Sequence, residues 1–402
     1  ELEQANGFVT EGYEINKAID FESNILGEAN TRSSKLRGLL QLFQEVRLTD
    51  AIGQLIDVGD LYNQLLYIFA EEAGKKINNV LAPTEVVSLI TKLIDGNRKN
   101  ACLCDPASGS GTLLIEVGKK MGIRGTDIYG QEVNWNLYAL TKMNLMLNGF
   151  KGATFLWGDS LRSPKLLDHG GLKKFDIVVS VPPFADKWAS EEAYDDFYRR
   201  FKYGIPPKSQ VTWAYISHIL ASLRNDGQAV VVVPVGVLFR NTESKIREQI
   251  IEYNLLEAVI ELPSNLFHGT AISTAILVFR KERMRTQTLF VDARKGYISN
   301  KGLYKLSDKV LEQLPNIYKK FLIGEEVGGE KNGCPVYVAT QDEIRHNKYD
   351  LKVIKYVEDK IERKEIDVKD ALRKIDELEE RLTYIDKQFK DCAWRLRELT
   401  KE

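Results

Sequence analysis

A short apolar run ending at Asp105 is followed by Pro106-Ala-Ser-Gly109-Ser-Gly111 and then by a helical pattern, in the stretch ACLCDPASGSGTLLIEVGKK. Gly109 and Gly111 let the backbone turn and approach a ligand closely, because neither carries a Cβ. A dinucleotide fingerprint would place G-x-G-x-x-G directly after the strand, with helix amides facing a pyrophosphate. Here Asp105 ends the strand four residues before Gly109, and no third glycine fills the last place. A carboxylate at that point repels a phosphate and pairs with an ammonium group. S-adenosylmethionine (AdoMet) carries that ammonium and no phosphate. The loop, with Asp105, Pro106, Gly109 and Gly111 as candidate cofactor residues, therefore favours AdoMet over NAD and speaks against a nicotinamide oxidoreductase.

Two further carboxylates fall at strand ends. Glu132, in DIYGQE, ends the next strand, where it is suited to accept hydrogen bonds from two ribose hydroxyls. Asp159, in LWGDSL, ends the third and is suited to accept from an adenine amine. A single strand-end Asp is usually a cap or turn former. Three successive ones point to a ligand.

A fourth strand, FDIVVSV, runs into Pro182-Pro183-Phe184. Two prolines fix an extended backbone, and the aromatic after them can stack on a flat ring. With these residues in place, the chain resembles the modification (M) subunits of type I restriction–modification systems, within the DNA adenine-N6 methyltransferases. The stretches that carry the resemblance are DPASGSGTLL, DIYGQE, GDSL, RFKYGIPPKSQVTWAYISHIL, GQAVVVVPVGVLF and LPSNLFHGTAISTAILVFRK, and the resemblance as a whole covers roughly residues 50 to 350.

The resemblance implies methyl transfer from AdoMet to the exocyclic amine of a flipped adenine in DNA. The family's reacting loop reads Asn-Pro-Pro-Phe. Its Asn side-chain carbonyl and first Pro carbonyl each accept an amine hydrogen, which aims the nitrogen lone pair at the methyl group. Phe184 is implied to stack on the base. Here the Asn position is Val181, which offers no acceptor. By analogy with deleting one oxyanion-hole donor, the loss is about 2.7–4 kcal/mol, or roughly 10²–10³ in rate. Ser180 alternates to the other strand face and is not expected to substitute. Family members also carry Thr or Ser at the position of Ala82 and Asp at that of Thr212. The catalytic set is thus Val181, Pro182, Pro183 and Phe184, and the alternative reading is a catalytically impaired AdoMet-binding scaffold. Phe267 is a candidate for base or backbone contact. Arg199, Arg200, Lys202 and Lys208, interleaved with aromatics, are either phosphate contacts or a solvated basic face. The four His are scattered without ligand spacing, so no metal site is expected.

Three regions must position these groups. Residues 1–80 carry helix-period apolar positions, including Leu36, Leu39, Leu61 and Leu65, and predict a small helical region, cut short at its start. Residues 81–350 alternate helices with short strands, which predicts a Rossmann-like α/β methyltransferase domain on a largely parallel sheet. Thr84 is a candidate N-cap for the helix TEVVSLITKLI. The continuous run QAVVVVP predicts a strand buried on both faces. Residues 351–402 are charged and helical. Apolar positions from Ala371 through Ile375, Leu378, Leu382, Ile385 and Phe389 to Leu399 follow steps of four and three, a coiled-coil heptad seam.

Composition bounds the rest. With 402 residues, 44% hydrophobic and 28% charged, the chain is an ordinary globular protein of two or three domains. No apolar run reaches membrane-spanning length, and no signal peptide is visible. Four Cys make no disulfide framework, so a reducing cytoplasm is the expected setting. A net charge of −1 excludes a free-standing, strongly basic DNA binder. About 70 residues separate the last sheet motif from the tail, too few for a target-recognition domain. Sequence choice is therefore assigned to a separate specificity subunit docked on the C-terminal helix. The resemblance implies two M copies per complex, with a restriction subunit joining them on DNA.

Overall fold

The computed structural model describes residues 28–45, 58–73, 82–96, 100–184, 186–267, 272–300, 303–327, 334–357 and 368–399. The helix-period positions of the N-terminal region fall on α1 (Ala29–Glu45) and α2 (Val58–Ala73). His268 and Val46 lie outside the described residues.

The remaining helices of the first compact unit are α3 (Thr84–Leu93), α4 (Thr112–Met121), α5 (Trp135–Leu147), α6 (Thr212–Ser222), α7 (Ser244–Glu252), α8 (Asp308–Ile323) and α9 (Gln341–His346). Strands β1 (Leu103–Asp105), β2 (Ile128–Glu132), β3 (Thr154–Trp157), β6 (Phe175–Ser180), β7 (Leu223–Pro234), β8 (Leu256–Glu261), β9 (Thr274–Arg280), β10 (Thr288–Asp292) and β13 (Val336–Ala339) form one sheet. Two small hairpins, β4 (Leu167–Asp168) with β5 (Gly171–Leu172) and β11 (Tyr297–Asn300) with β12 (Leu303–Leu306), stand apart from it.

The sheet order is β13-β10-β8-β9-β7-β6-β1-β2-β3. Pairing is parallel throughout, except that β9 runs against β7 and β8, and β13 against β10. From β1 the chain winds outward through β2 and β3, then returns to β6 on the other side of β1. Strand order reverses between β1 and β6. Ligands of open α/β sheets bind at the carboxyl ends of strands flanking such a switch point. Asp105 and Ser180 are the last residues of those two strands.

Period-2 alternation explains why the sheet has two cores. Val230 and Val232 of β7 face α3, α4 and α8, whereas Ala229, Val231 and Val233 face α6 and α7. All five are fully buried, as the unbroken apolar run predicts. Opposite the switch point, a buried polar network joins α3, β7 and α8. Gln228 Nε2 donates to the Leu93 carbonyl at 3.0 Å and to the Tyr318 hydroxyl at 2.9 Å.

Two expectations shift. Thr84 is not the cap of α3. It is the first helical residue, Pro83 holds the cap position, and no side chain caps that end. Proline suits the place because a helix N-terminus does not need its missing amide hydrogen. Residues 351–357, assigned from sequence to the tail, belong to the first compact unit, which ends at Val357. Leu351, Val353, Tyr356 and Val357 are buried there, and the Tyr356 ring stacks on Phe290 of β10 at 3.9 Å.

The second unit is 358–402, of which α10 (Val368–Leu399) is described. Its seam residues Leu378, Leu382 and Phe389 are 61%, 72% and 71% exposed.

Candidate active site

Gly111 caps α4 in the left-handed region (φ 74°), and a Cβ there would lie 2.3 Å from Thr141 Cγ2. Only glycine fits. The loop is held from behind: the Thr141 hydroxyl donates to the Gly109 carbonyl at 2.6 Å, and the Ser160 hydroxyl donates to the Pro106 carbonyl at 2.6 Å. These bonds satisfy two loop carbonyls from within the fold.

Asp105 is 2% exposed, and its Oδ1 accepts from the Ala107 amide at 2.9 Å and the Ser180 hydroxyl at 2.8 Å. Burial pushes its carboxyl up to about 7, against the pull of those two donors, and the nearby Glu132 adds to the rise. Glu132 Oε2 accepts from the Gly109 amide at 2.8 Å and Oε1 from the Asn134 amide at 2.7 Å. Burial raises its carboxyl too, although these amides oppose the shift. Asp159 Oδ1 accepts from the Leu161 and Arg162 amides at 2.8 and 3.2 Å, the cap geometry of a turn.

Among the described residues, none of the three carboxylates forms an ion pair. Buried carboxylates without a cation are costly. These acceptors thus fit a cationic ligand with hydroxyl and amine donors, which AdoMet is, and do not fit a pyrophosphate.

The site residues divide between two cavities. A small one of about 30 Å³ is lined by Ala82, Asp105, Gly109, Val181, Phe184 and Phe267. A larger one of about 690 Å³ holds Asp159, Pro183 and Tyr215 with aromatics of the segment that follows. Glu132, which binds the Gly109 amide, stands between the cofactor loop and Val133, a lining residue of the larger cavity.

Val181 is half-buried and packs against the apolar core. Ser180 does not take over the missing acceptor role: its proton goes to Asp105, and it lines neither cavity. The three sequence departures gather at one place. Ala82 shares the small cavity with Val181, and the Thr212 hydroxyl donates to the Pro183 carbonyl at a long 3.5 Å. Phe184 is 4% exposed and meets Phe267 edge-on, ring centroids 5.5 Å apart at 80°.

The basic run is not a uniform DNA-facing patch. Arg200 is 5% exposed, pairs with Asp196 at 2.7 Å and donates to the Ser160 and Leu161 carbonyls at 3.0 and 2.7 Å. It fastens the segment carrying Phe201 onto the Asp159 turn. Beside it His218 is buried, and desolvation and the guanidinium push it down to about 3, so it is neutral. Lys208 pairs with Glu191 at 2.9 Å, while Arg199 and Lys202 are exposed. Sequence reasoning missed Ser180 as the partner of Asp105, and it missed Tyr215. Burial and the charges of Asp159, Glu132, Asp186 and Asp105 hold the Tyr215 phenol well above its usual range. In sequence it is one apolar-face residue of WAYISHIL.

Fold and site together define an AdoMet-type α/β methyltransferase, and the N-6 DNA Methylase family model matches residues 55–365. The chain belongs to that family and, within it, to the methylase subunits of type I restriction enzymes. It is 31% identical over 389 residues to the type I restriction enzyme MpnII methylase subunit of Mycoplasma pneumoniae, covering 92% of this chain and 68% of the relative. It is 32% identical to the MjaVIII methylase subunit of Methanocaldococcus jannaschii, covering 85% of this chain and 59% of the relative. The chain thus spans only three-fifths to two-thirds of the length of these two relatives. Among solved structures, the type I restriction-modification methyltransferase subunit of Streptococcus thermophilus superposes with a TM-score of 0.77 at 27% identity, covering 89% of this chain and 74% of that one.

Proposed function

We propose that this chain takes up AdoMet and delivers its methyl group to N6 of an adenine extruded from DNA, on a sequence chosen by a separate specificity subunit. The observation that supports this most is the row of carboxylates without a cation, Asp105, Glu132 and Asp159, at or just beyond the carboxyl ends of β1, β2 and β3, with Pro182-Pro183-Phe184 following β6 beside β1. AdoMet supplies an electrophilic methyl on a cationic sulfur. Asp105 would pair with its ammonium group, Glu132 with ribose hydroxyls and Asp159 with the adenine amine. The Pro182 carbonyl would accept one hydrogen of the target amine, and Phe184 would stack on the base.

Val181 supports a second reading. An apolar side chain packed on the core stands where the other amine hydrogen needs an acceptor. On this reading the chain binds AdoMet and assembles on DNA with transfer slowed by about 10²–10³. Calorimetry with AdoMet, run beside a methyl-transfer assay on the reconstituted complex, separates the two. Transfer by the native chain supports the enzyme; binding without transfer, restored by Val181→Asn, supports the scaffold.

The exposed heptad face of α10 is the proposed docking element for the specificity subunit, two copies of this chain gripping one such subunit and a restriction subunit joining them, in the cytoplasm. Among the described residues no helix is long and apolar enough to cross a membrane. The variant Leu382→Lys/Ile385→Lys is expected to abolish co-purification with a specificity subunit while leaving AdoMet affinity unchanged. Retained co-purification would place docking elsewhere.

A further inference from the structure

We infer that Ser180 is a positioning residue for the cofactor site: its hydroxyl holds the Asp105 carboxylate in the orientation and charge state that an ammonium ligand needs. The inference rests on the AdoMet reading above. Ser180 ends β6 and Asp105 ends β1, the two strands that flank the switch point. Ser180 is 0% exposed, and its Oγ lies 2.8 Å from Asp105 Oδ1. A hydroxyl has one proton to give. Giving it to the carboxylate favours the ionised form over the neutral one.

Few groups share this task. The Ala107 amide donates to the same oxygen, so Ser180 is the one side-chain donor to Asp105 among the described residues. The titratable groups facing Asp105 all work against ionisation or stay neutral. Glu132 of β2 repels it, the Cys104 thiol on its own strand is driven upward and stays neutral, and the Tyr215 phenol of α6 is neutral as well. Ser180 also immediately precedes Val181-Pro182, so one hydrogen bond ties the cofactor carboxylate to the start of the reacting loop.

The consequence is a specific pH signature. If the ligand binds only ionised Asp105, affinity falls about tenfold for each pH unit below the carboxyl's pKa, while loss of the ligand's own ammonium proton at the alkaline end affects every variant alike. Removing the Ser180 donor raises that pKa by about one unit, the scale of a hydrogen bond to a charged group.

The test is AdoMet affinity by calorimetry from pH 6 to 9 for the native chain, Ser180→Ala and Ser180→Thr. Ser180→Ala is expected to bind about tenfold more weakly at pH 6.5, with its midpoint about one unit higher, and to converge on native affinity by pH 9. Ser180→Thr, which keeps the hydroxyl, is expected to retain the native midpoint. An unchanged midpoint in Ser180→Ala overturns the inference. So does a uniform loss at every pH, the mark of a merely structural role.

Absence of AdoMet binding by the native chain at any pH sinks the cofactor reading instead. The ligand-free protein then decides the role of Ser180. A carboxyl raised on folding makes stability fall as pH rises and level off above the folded pKa. That levelling point moves upward by about one unit in Ser180→Ala if the inference holds. It stays in place if the inference fails.

Discussion

The amide of Gly109 donates to Glu132 Oε2 at 2.8 Å. One carboxylate of the second strand therefore fixes the loop that follows the first. The loop and the strand end are thereby tied to each other directly. A carboxylate has about four lone-pair positions, and the Gly109 and Asn134 amides, with a lesser contribution from the Val133 amide, occupy part of them. The rest remain for hydroxyl donors. Glu132→Gln keeps an acceptor but puts a donor NH₂ against one of the two amides. It is expected to weaken AdoMet binding at least tenfold in calorimetry and to lower thermal stability in the same samples.

Asp105 carries a cost when ionised without a cation. Its carboxyl stands at about 7 in the fold against an ordinary value of 3.8, so the neutral form is favoured. For a carboxyl raised on folding, the cost is absent below about pH 4, grows through the window between the two values, and is complete above about 7. Asp105→Asn keeps the acceptor for Ala107 and Ser180 and removes the charge. Differential scanning calorimetry is expected to show a higher Tm than native at pH 8, a smaller gain at pH 5 and none below about pH 4. AdoMet binding should be lost in the same variant. A lower Tm at pH 8 would contradict the assigned burial cost.

Gly111→Ala meets two obstacles, a positive φ and the Thr141 methyl 2.3 Å from the new Cβ. The left-handed backbone costs about 1–2 kcal/mol by itself. Thr141→Ser removes the methyl and retains the hydroxyl that holds the Gly109 carbonyl. The double variant is expected to recover the steric part of the loss and leave the backbone part. Denaturant titration of the four-member cycle checks this through a favourable coupling between the sites.

Arg200 belongs to the scaffold rather than to a DNA surface. Its side chain and that of Asp196 are 6% and 7% exposed. Arg200→Met is expected to cost about 3–5 kcal/mol, because Asp196 is left buried without its cation. The pair Arg200→Met/Asp196→Leu should recover part of that loss. In salt titrations of the reconstituted complex on DNA, Arg200→Met should leave the slope of log affinity against log salt unchanged, whereas a true phosphate contact lowers it by about one.

Val181→Asn should raise the methyl-transfer rate by about 10²–10³ with little change in AdoMet affinity, since one acceptor for the target amine is restored. Val181 is half-buried against the core, so the polar replacement is expected to lower stability by about 1–3 kcal/mol. A rate that does not move would show that the Pro182 carbonyl and the base pocket suffice without it.

The sequence alone determined what local pattern can carry. The unbroken apolar run QAVVVVP was readable as a strand buried on both faces, and Gly111 was marked for a turn by its place after Asp105. Tertiary structure decided the rest. No spacing rule shows that Ser180, 75 residues from Asp105, spends its proton on that carboxylate, because the contact exists only once β6 returns beside β1. Arg200 read equally well as solvated or phosphate-bound, until burial against Asp196 and the Ser160 and Leu161 carbonyls left it nowhere else to point. Phe184 was legible as an aromatic after two prolines, but its edge-on contact with Phe267 depends on a loop more than 80 residues away. Residue types set the chemistry available to the site; long-range pairing decided which atoms meet.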